Sequence, residues 1–310
     1  MLLCLCIFLA PQFSRSETRT ANGALYRLPG PAEFTEEEVS RLKAYKGIHA
    51  DPVLDAAFSL LEEGNPFLER YNLITGSAVN ARMAYGIPFL WGGRAENHVF
   101  AKEPDYVVQA AWTNSRIYYR AGNKYMYGFD CYGFIEWVWK HTQPAALPTI
   151  EELFRAKGRQ FPGPSAEKGA KYTDPDYGLQ AGDLFVMEHP GKHIAMYIGT
   201  LRMFGYTAEE IPALAGELDT PLIIHSTVNG SIADRFEYLI ANGIPKYRVA
   251  TVTDGGVCVS LLCDRAETAP MHVFQQKQDT YYYLLPDGTW LTVLPVQEAV
   301  QSCWLRIRAE

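Results

Sequence analysis

Apolar and polar positions change their period along this chain, and each change marks a different kind of element. In FTEEEVSRLKAY the apolar residues fall at helical spacing behind Thr35 and three glutamates, an acidic first turn that suits the positive end of a helix. DPVLDAAFSLLEE repeats the pattern, with Asp51 as its cap and Pro52 at the first helical position. Residues 23–75 are therefore expected to be helical and to pack against the core built by residues further along the chain. In YGFDCYGFIEWVWK, residues 127–140, Phe134, Trp137 and Val138 recur at helical spacing and predict a helix that begins at Cys131. The period then falls to two. GDLFVMEHPGKHIAMYIG, residues 182–199, reads as a hairpin: Leu184 to Met187, a turn at Pro190 and Gly191, then His193 to Ile198. Alternation sends Ile194, Met196 and Ile198 into the core and leaves His193, Ala195 and Tyr197 on the other face, expected to be open beside the imidazole. PLIIHSTVNG predicts an apolar strand with His225 in phase with Ile223 and Thr227. Beyond residue 241 only strand patterns remain: YRVATV, VCVSLL, TYYYLL and TWLTVL, the last two joined by a Pro286-Asp287-Gly288 turn.

Composition narrows the class without choosing a function. A chain of 310 residues, 48% apolar and 20% charged, can bury one large core or two smaller ones. The net charge of -7 argues against nucleic acid as a partner, since phosphate is held mainly by Lys and Arg. No His-Glu-x-x-His and no paired Cys-x-x-Cys is present, so neither metal nor cofactor is expected. The opening MLLCLCIFLA carries nine apolar residues after Met1. That run is too short to span a bilayer and matches the apolar region of a secretory signal, although the basic leading region is missing. Residues 1–22 are read as that signal. The expectation is a secreted or envelope-associated mature chain without stable membrane insertion. It would retain Cys131, Cys258, Cys263 and Cys303, of which the last three are candidates for pairing. A full disulfide framework is not expected, because Cys131 is needed free.

Cys131 is the first candidate for chemistry. At a helix start, the free amides of the first turn and the helix dipole favour an anion, so the thiolate gains over the thiol. Gly128 and Gly133 leave room for a substrate backbone on either side. A cysteine hydrolase also needs a base and a polar residue that holds the base in the right tautomer; His193 and His225 fit those roles in that order. Each residue has a plainer alternative: a small hydrophobe for Cys131, a core histidine for His225, and for Asp130 a helix cap.

The ordered set of motifs resembles the NlpC-type cell-wall peptidases, a branch of the papain-like cysteine peptidases. GIPFLWGG (86–93) is similar to the family's Gly-x-Pro-Tyr-x-Trp-Gly-Gly segment, and FDCYGF (129–134) resembles its Asp-Cys-Ser-Gly-Phe nucleophile motif. AGDLFVM with HIAMYIG resembles the Gly-Asp-Leu and histidine strands, and IIHST the strand that supplies the third polar residue. The resemblance implies an α+β, papain-like fold with helices packed on an antiparallel sheet and a catalytic domain over 76–240, while the strand patterns beyond it are read as a β extension or small domain over 241–310. It carries nucleophile onto Cys131, base onto His193 and orienting residue onto His225. It also implies substrate contacts at Asp130, Tyr132, Phe89 and Trp91. Tyr132 stands where the family has Ser, and Phe89 where it has Tyr, which puts recognition of a free stem amine in question.

The implied activity is hydrolysis of peptidoglycan stem peptides at the amide between γ-D-glutamate and a diamino acid, with peptidoglycan or a muropeptide as the partner. The alternatives are a papain-like amidase cutting the glycan-to-peptide bond, a thiol acyltransferase, and a catalytically inactive cell-wall binding protein. Two segments are longer than the family's, 94–129 and 200–220. The first is rich in aromatics (Tyr106, Trp112, Tyr118, Tyr119, Tyr125, Tyr127) and is a candidate wall of the site; in the second, TAEEIPALAG is expected to form a short helix or lid.

Overall fold

The structure is a computed structural model that describes residues 17–19, 25–27, 34–45, 47–82, 87–89, 99–101, 107–109, 116–118, 125–127, 129–143, 146–154, 159–162, 178–187, 192–228, 253–263, 272–274, 280–285, 290–295 and 302–307. The apolar opening of the chain and the strand expected at YRVATV, residues 247–252, lie outside the described residues. Strands β1 (Glu17–Arg19) and β2 (Leu25–Arg27) form an antiparallel ribbon. The ribbon takes in residues 25–27 of the stretch expected to be helical. Helices α1 (Glu36–Ala44), α2 (Pro52–Phe58) and α3 (Pro66–Thr75) come after it. Their starts are fixed as the sequence suggests. Thr35 Oγ1 accepts from the Glu38 amide while Glu38 Oε2 accepts from the Thr35 amide, and Asp51 Oδ1 accepts from Val53 at 2.7 Å. Asn65 caps α3, and Gly76 ends it in the left-handed conformation.

Next come β3 (Pro88–Phe89), then β4 (Val99–Ala101), β5 (Val107–Gln109), β6 (Arg116–Tyr118) and β7 (Tyr125–Tyr127). The four strands β4 to β7 form two small antiparallel ribbons, β4 with β7 and β5 with β6, so the aromatic segment 94–129 is built at least partly of nested hairpin-like pairs. Helices α4 (Cys131–Thr142) and α5 (Ile150–Phe154) lead into β8 (Arg159–Pro162), β9 (Leu184–Met187), β10 (His193–Thr200) and β11 (Pro221–Val228). The C-terminal strands are β12 (Thr253–Cys263), β13 (His272–Phe274), β14 (Thr280–Leu284), β15 (Trp290–Pro295) and β16 (Ser302–Arg306).

Helices and a large sheet make this an α+β fold. The sheet runs β13-β14-β15-β12-β11-β10-β9-β16-β8, with β3 paired to β12, and it is antiparallel except where β12 meets β15. Strands from beyond residue 241 enter it at two places. β12 lies against β11, placing His225 opposite Cys258, and β16 lies against β9, placing Trp304 opposite Phe185. Along β10 the register with β11 shifts between Tyr197 and Gly199. Gly199 takes φ +128° there, a conformation that side chains with a Cβ rarely adopt.

Each face of the sheet has its own core. Ile194, Met196, Ile198, Leu222 and Ile224 pack with Phe134, Ile135, Trp137 and Val138 of α4 and with the buried residues of α1 to α3. On the other face Phe185, Met187, Ala195, Tyr197, Ile223, Leu262 and Trp304 form a second cluster. The face of β10 that carries Ala195 and Tyr197 was expected to be open and is instead covered. The reason lies far along the chain: Trp304 of β16 sets its ring edge-on to Tyr197, with centroids 5.7 Å apart. Segment 200–220 is also packed rather than raised as a lid, its short 3-10 turns (Arg202–Phe204 and Pro212–Glu217) burying Phe204, Ile211, Leu214 and Leu218.

Candidate active site

Helix α4 begins at Cys131 because the residue before it is a good cap. Asp130, itself buried, has extended backbone angles, and its Oδ1 accepts from the Gly133 amide at 2.7 Å. The half-buried Cys131 is therefore the first residue of the helix, where the dipole and first-turn amides favour its thiolate. Phe134, Trp137 and Val138 anchor α4 against β10 and β11, as their spacing predicts. Tyr132 is buried, and its hydroxyl donates to the Pro148 carbonyl at 3.0 Å.

The two histidines meet. His193 Nε2 lies 2.7 Å from His225 Nδ1, and the rings stand nearly edge-on, with centroids 4.9 Å apart. His225 is fully enclosed, and its Nε2 lies 2.8 Å from Ser260 Oγ on β12. Burial pushes His193 down to about 4 and His225 well below its ordinary value, the neighbouring ring adding to the effect on His225. Both are therefore held neutral at pH 7. A neutral imidazole is what a general base requires.

Strand β10 pairs with β11 from Met196, opposite Ile224, onward. Ser226 Oγ donates to the Phe129 carbonyl at 2.8 Å, which fixes the chain two residues ahead of Cys131 against β11. Strand alternation puts His193 and His225 in phase with Ala195 and Ile223, on the face opposite the residues that meet α4. The structure thus brings His193 and His225 together, and sets α4 against the opposite face of the same strands.

The scaffold behind the histidine hairpin is held by a buried ion pair. Arg306 of β16 binds both carboxylate oxygens of Asp183, at 2.7 and 2.6 Å, and its Nη2 also donates to the Gly178 carbonyl at 2.6 Å. Asp183 Oδ2 accepts the Gln180 amide as well, so the turn leading into β9 is tied to the last strand.

Of the remaining sequence candidates, Phe89 lies on β3, whose backbone pairs with Thr253 of β12, and Trp91 lies outside the described residues. Among the described residues Cys131, Cys258 and Cys303 form no disulfide, no cluster of His, Cys, Asp and Glu is arranged to hold a metal, and no helix is long and apolar enough to cross a membrane. Ser226 and Ser260 were not singled out from sequence. For Ser260 the available signal was a hydroxyl inside the apolar run VCVSLL, since a buried polar group needs a partner, whereas Ser226, between His225 and Thr227, gave none.

Residues 86–215 match the model of the NlpC/P60 family. The match takes in Cys131 and His193, whereas His225 and Ser260 lie beyond it. No curated protein and no solved structure matches the chain.

Proposed function

Because the chain carries an NlpC/P60 family segment over residues 86–215, a family of cell-wall cysteine peptidases, we propose that it hydrolyses peptidoglycan stem peptides at the amide between γ-D-glutamate and a diamino acid. The observations that support this reading are the contact of His193 Nε2 with His225 Nδ1 at 2.7 Å and the position of Cys131 as the first residue of α4. With Nε2 engaged, His193 turns its Nδ1 outward as the base. It removes the thiol proton of Cys131, and the sulfur attacks the γ-carbonyl carbon. The backbone amide of Cys131 donates to the oxyanion, at the positive end of α4. The C–N bond then breaks, the departing amine takes the proton back from His193, and water activated by the same imidazole hydrolyses the thioester. His225 holds the His193 ring in orientation throughout. The reaction needs no cofactor, and the protein acts outside the cytoplasm of a bacterium as a secreted or envelope-associated enzyme.

Asp130, Tyr132, Phe89 and Trp91 are assigned to substrate contact. Asp130 already caps α4, so Asp130→Asn keeps an acceptor for the Gly133 amide while removing the charge. Loss of discrimination between a free and an acetylated stem amine in that variant supports an ammonium contact; equal rates for both peptides in the wild type reduce Asp130 to a cap. The reading as a whole is tested by digesting defined muropeptides and weighing the products. Fragments cut after γ-D-glutamate, produced by wild type and absent with Cys131→Ala, support it. Release of intact stem peptide from the glycan makes the protein an amidase instead.

A further inference from the structure

The chain of contacts does not stop at the second histidine. His193 Nε2 reaches His225 Nδ1 at 2.7 Å, and His225 Nε2 reaches Ser260 Oγ at 2.8 Å. Ser260 stands on β12, a strand that lies beyond the family segment and reaches the site only because β12 pairs with β11. Both His225 and Ser260 are about 1% exposed, so water does not compete for the bond between them.

A hydrogen-bonded row of two neutral imidazoles and a hydroxyl can run in only two directions. In one, Ser260 donates to His225 Nε2, His225 Nδ1–H donates to His193 Nε2, and the His193 proton sits on Nδ1. That nitrogen then has no lone pair for a thiol proton. In the other, His193 Nε2–H donates to His225 Nδ1, His225 Nε2–H donates to Ser260 Oγ, and His193 Nδ1 is left basic. Cys258 Sγ, 3.9 Å from Ser260 Oγ on the same face of β12, can take the serine's proton or offer its own, so it is compatible with the second direction without selecting it; the chemistry proposed above selects it, because it needs a lone pair on His193 Nδ1. The direction also suits the moment after proton transfer, when His193 carries a proton on both nitrogens and His225 must still accept.

We infer that Ser260 is a positioning residue which, by accepting from His225 Nε2, fixes the tautomer of His225 and through it keeps His193 Nδ1 basic. This rests on the assignment of Cys131, His193 and His225 proposed above. It adds a fourth member, supplied by a strand of the C-terminal region.

The test uses full-length protein with 15N-labelled histidine and reads the His225 tautomer from two-bond 1H–15N correlations at pH 7. Wild type is expected to carry the His225 proton on Nε2, and Ser260→Ala to shift a substantial fraction onto Nδ1. Cleavage of a γ-D-glutamyl stem peptide by Ser260→Ala should fall by about 10- to 100-fold, the scale of one hydrogen bond to a group that develops charge, with KM little changed. Ser260→Thr, which keeps the hydroxyl, should restore the wild-type tautomer and most of the rate. Near-ultraviolet circular dichroism confirms that each variant is folded. A wild-type proton on His225 Nδ1, or an unchanged tautomer in folded Ser260→Ala, overturns the inference. The tautomer is read without turnover, so an inactive wild type with the expected tautomer rejects the proposed peptidase reading and leaves the role of Ser260 standing.

Discussion

Removing Arg306 should expose how much of the fold depends on one buried ion pair. Arg306 and Asp183 have side chains only 10% and 3% exposed, and the guanidinium occupies both carboxylate oxygens. In Arg306→Ala the Asp183 carboxylate stays in the interior and loses two charge-assisted bonds, and the Gly178 carbonyl loses its donor. Leaving one member of a buried pair uncompensated costs about 3–5 kcal/mol. With an m-value near 3 kcal/mol/M, at the upper end for urea, the midpoint should fall by about 1–1.7 M. The loss should be cooperative, because the pair joins the turn ahead of β9 to β16 and so braces the hairpin that presents His193. Adding Asp183→Leu to Arg306→Met should recover part of the loss, since two apolar side chains leave no stranded charge. Urea unfolding, monitored by tryptophan fluorescence, measures both. A change below about 1 kcal/mol in Arg306→Ala would mean that the pair is solvated and that β16 is held by apolar contacts alone.

Other parts of the structure carry expectations of their own. The folded-state values of His193 and His225 lie below the ordinary 6.5, so the unfolded chain binds protons there that the folded protein does not. Their contribution to stability is complete above pH 6.5 and is lost as pH falls toward and through about 4. Urea unfolding at a series of pH values should show that decline, shallower in His193→Gln, and an identical slope in the two proteins would contradict it. Ser226→Ala should cost about 1 kcal/mol by removing the buried hydrogen bond from Ser226 Oγ to the Phe129 carbonyl, and should lower kcat as the start of α4 shifts; calorimetry and steady-state kinetics check both. Thr35→Ala should cost about 1 kcal/mol by opening the capping box of α1, visible as a lower midpoint in thermal melting. Gly199→Ala should cost about 1–3 kcal/mol, because φ is +128°, a conformation that residues with a Cβ rarely adopt; an unchanged melting temperature would show that the bulge can relax.

Short-range features were readable from residue order and long-range ones were not. Asp51 with Pro52, Thr35 with Glu38, and the start of α4 at Cys131 all depend on residues within a few positions of one another, and local chemistry decides them. The hairpin of β9 and β10 was legible for the same reason, since alternation and its flanking turn residues lie in one short segment. The closed face of β10 was hidden because its cover, Trp304, arrives from more than a hundred residues away. The insertion of β12 and β16 into the sheet was likewise not encoded by any local period, and neither was the parallel pairing of β12 with β15. Within the site, His193 and His225 could be nominated as residue types suited to the chemistry. Ser260 could not, because a serine becomes informative only when the topology sets it against an imidazole.

Everything proposed for the chemistry turns on whether the Cys131 sulfur carries the acyl group of a stem peptide. Acid quenching within the first turnovers, then digestion and mass spectrometry of the peptide that contains Cys131, reads it directly. The expected result is a thioester adduct on Cys131 whose mass equals the acyl portion ending in γ-D-glutamate, present in wild type and missing from Cys131→Ala. Turnover by Cys131→Ala at the wild-type rate, with no adduct on any cysteine, would contradict it.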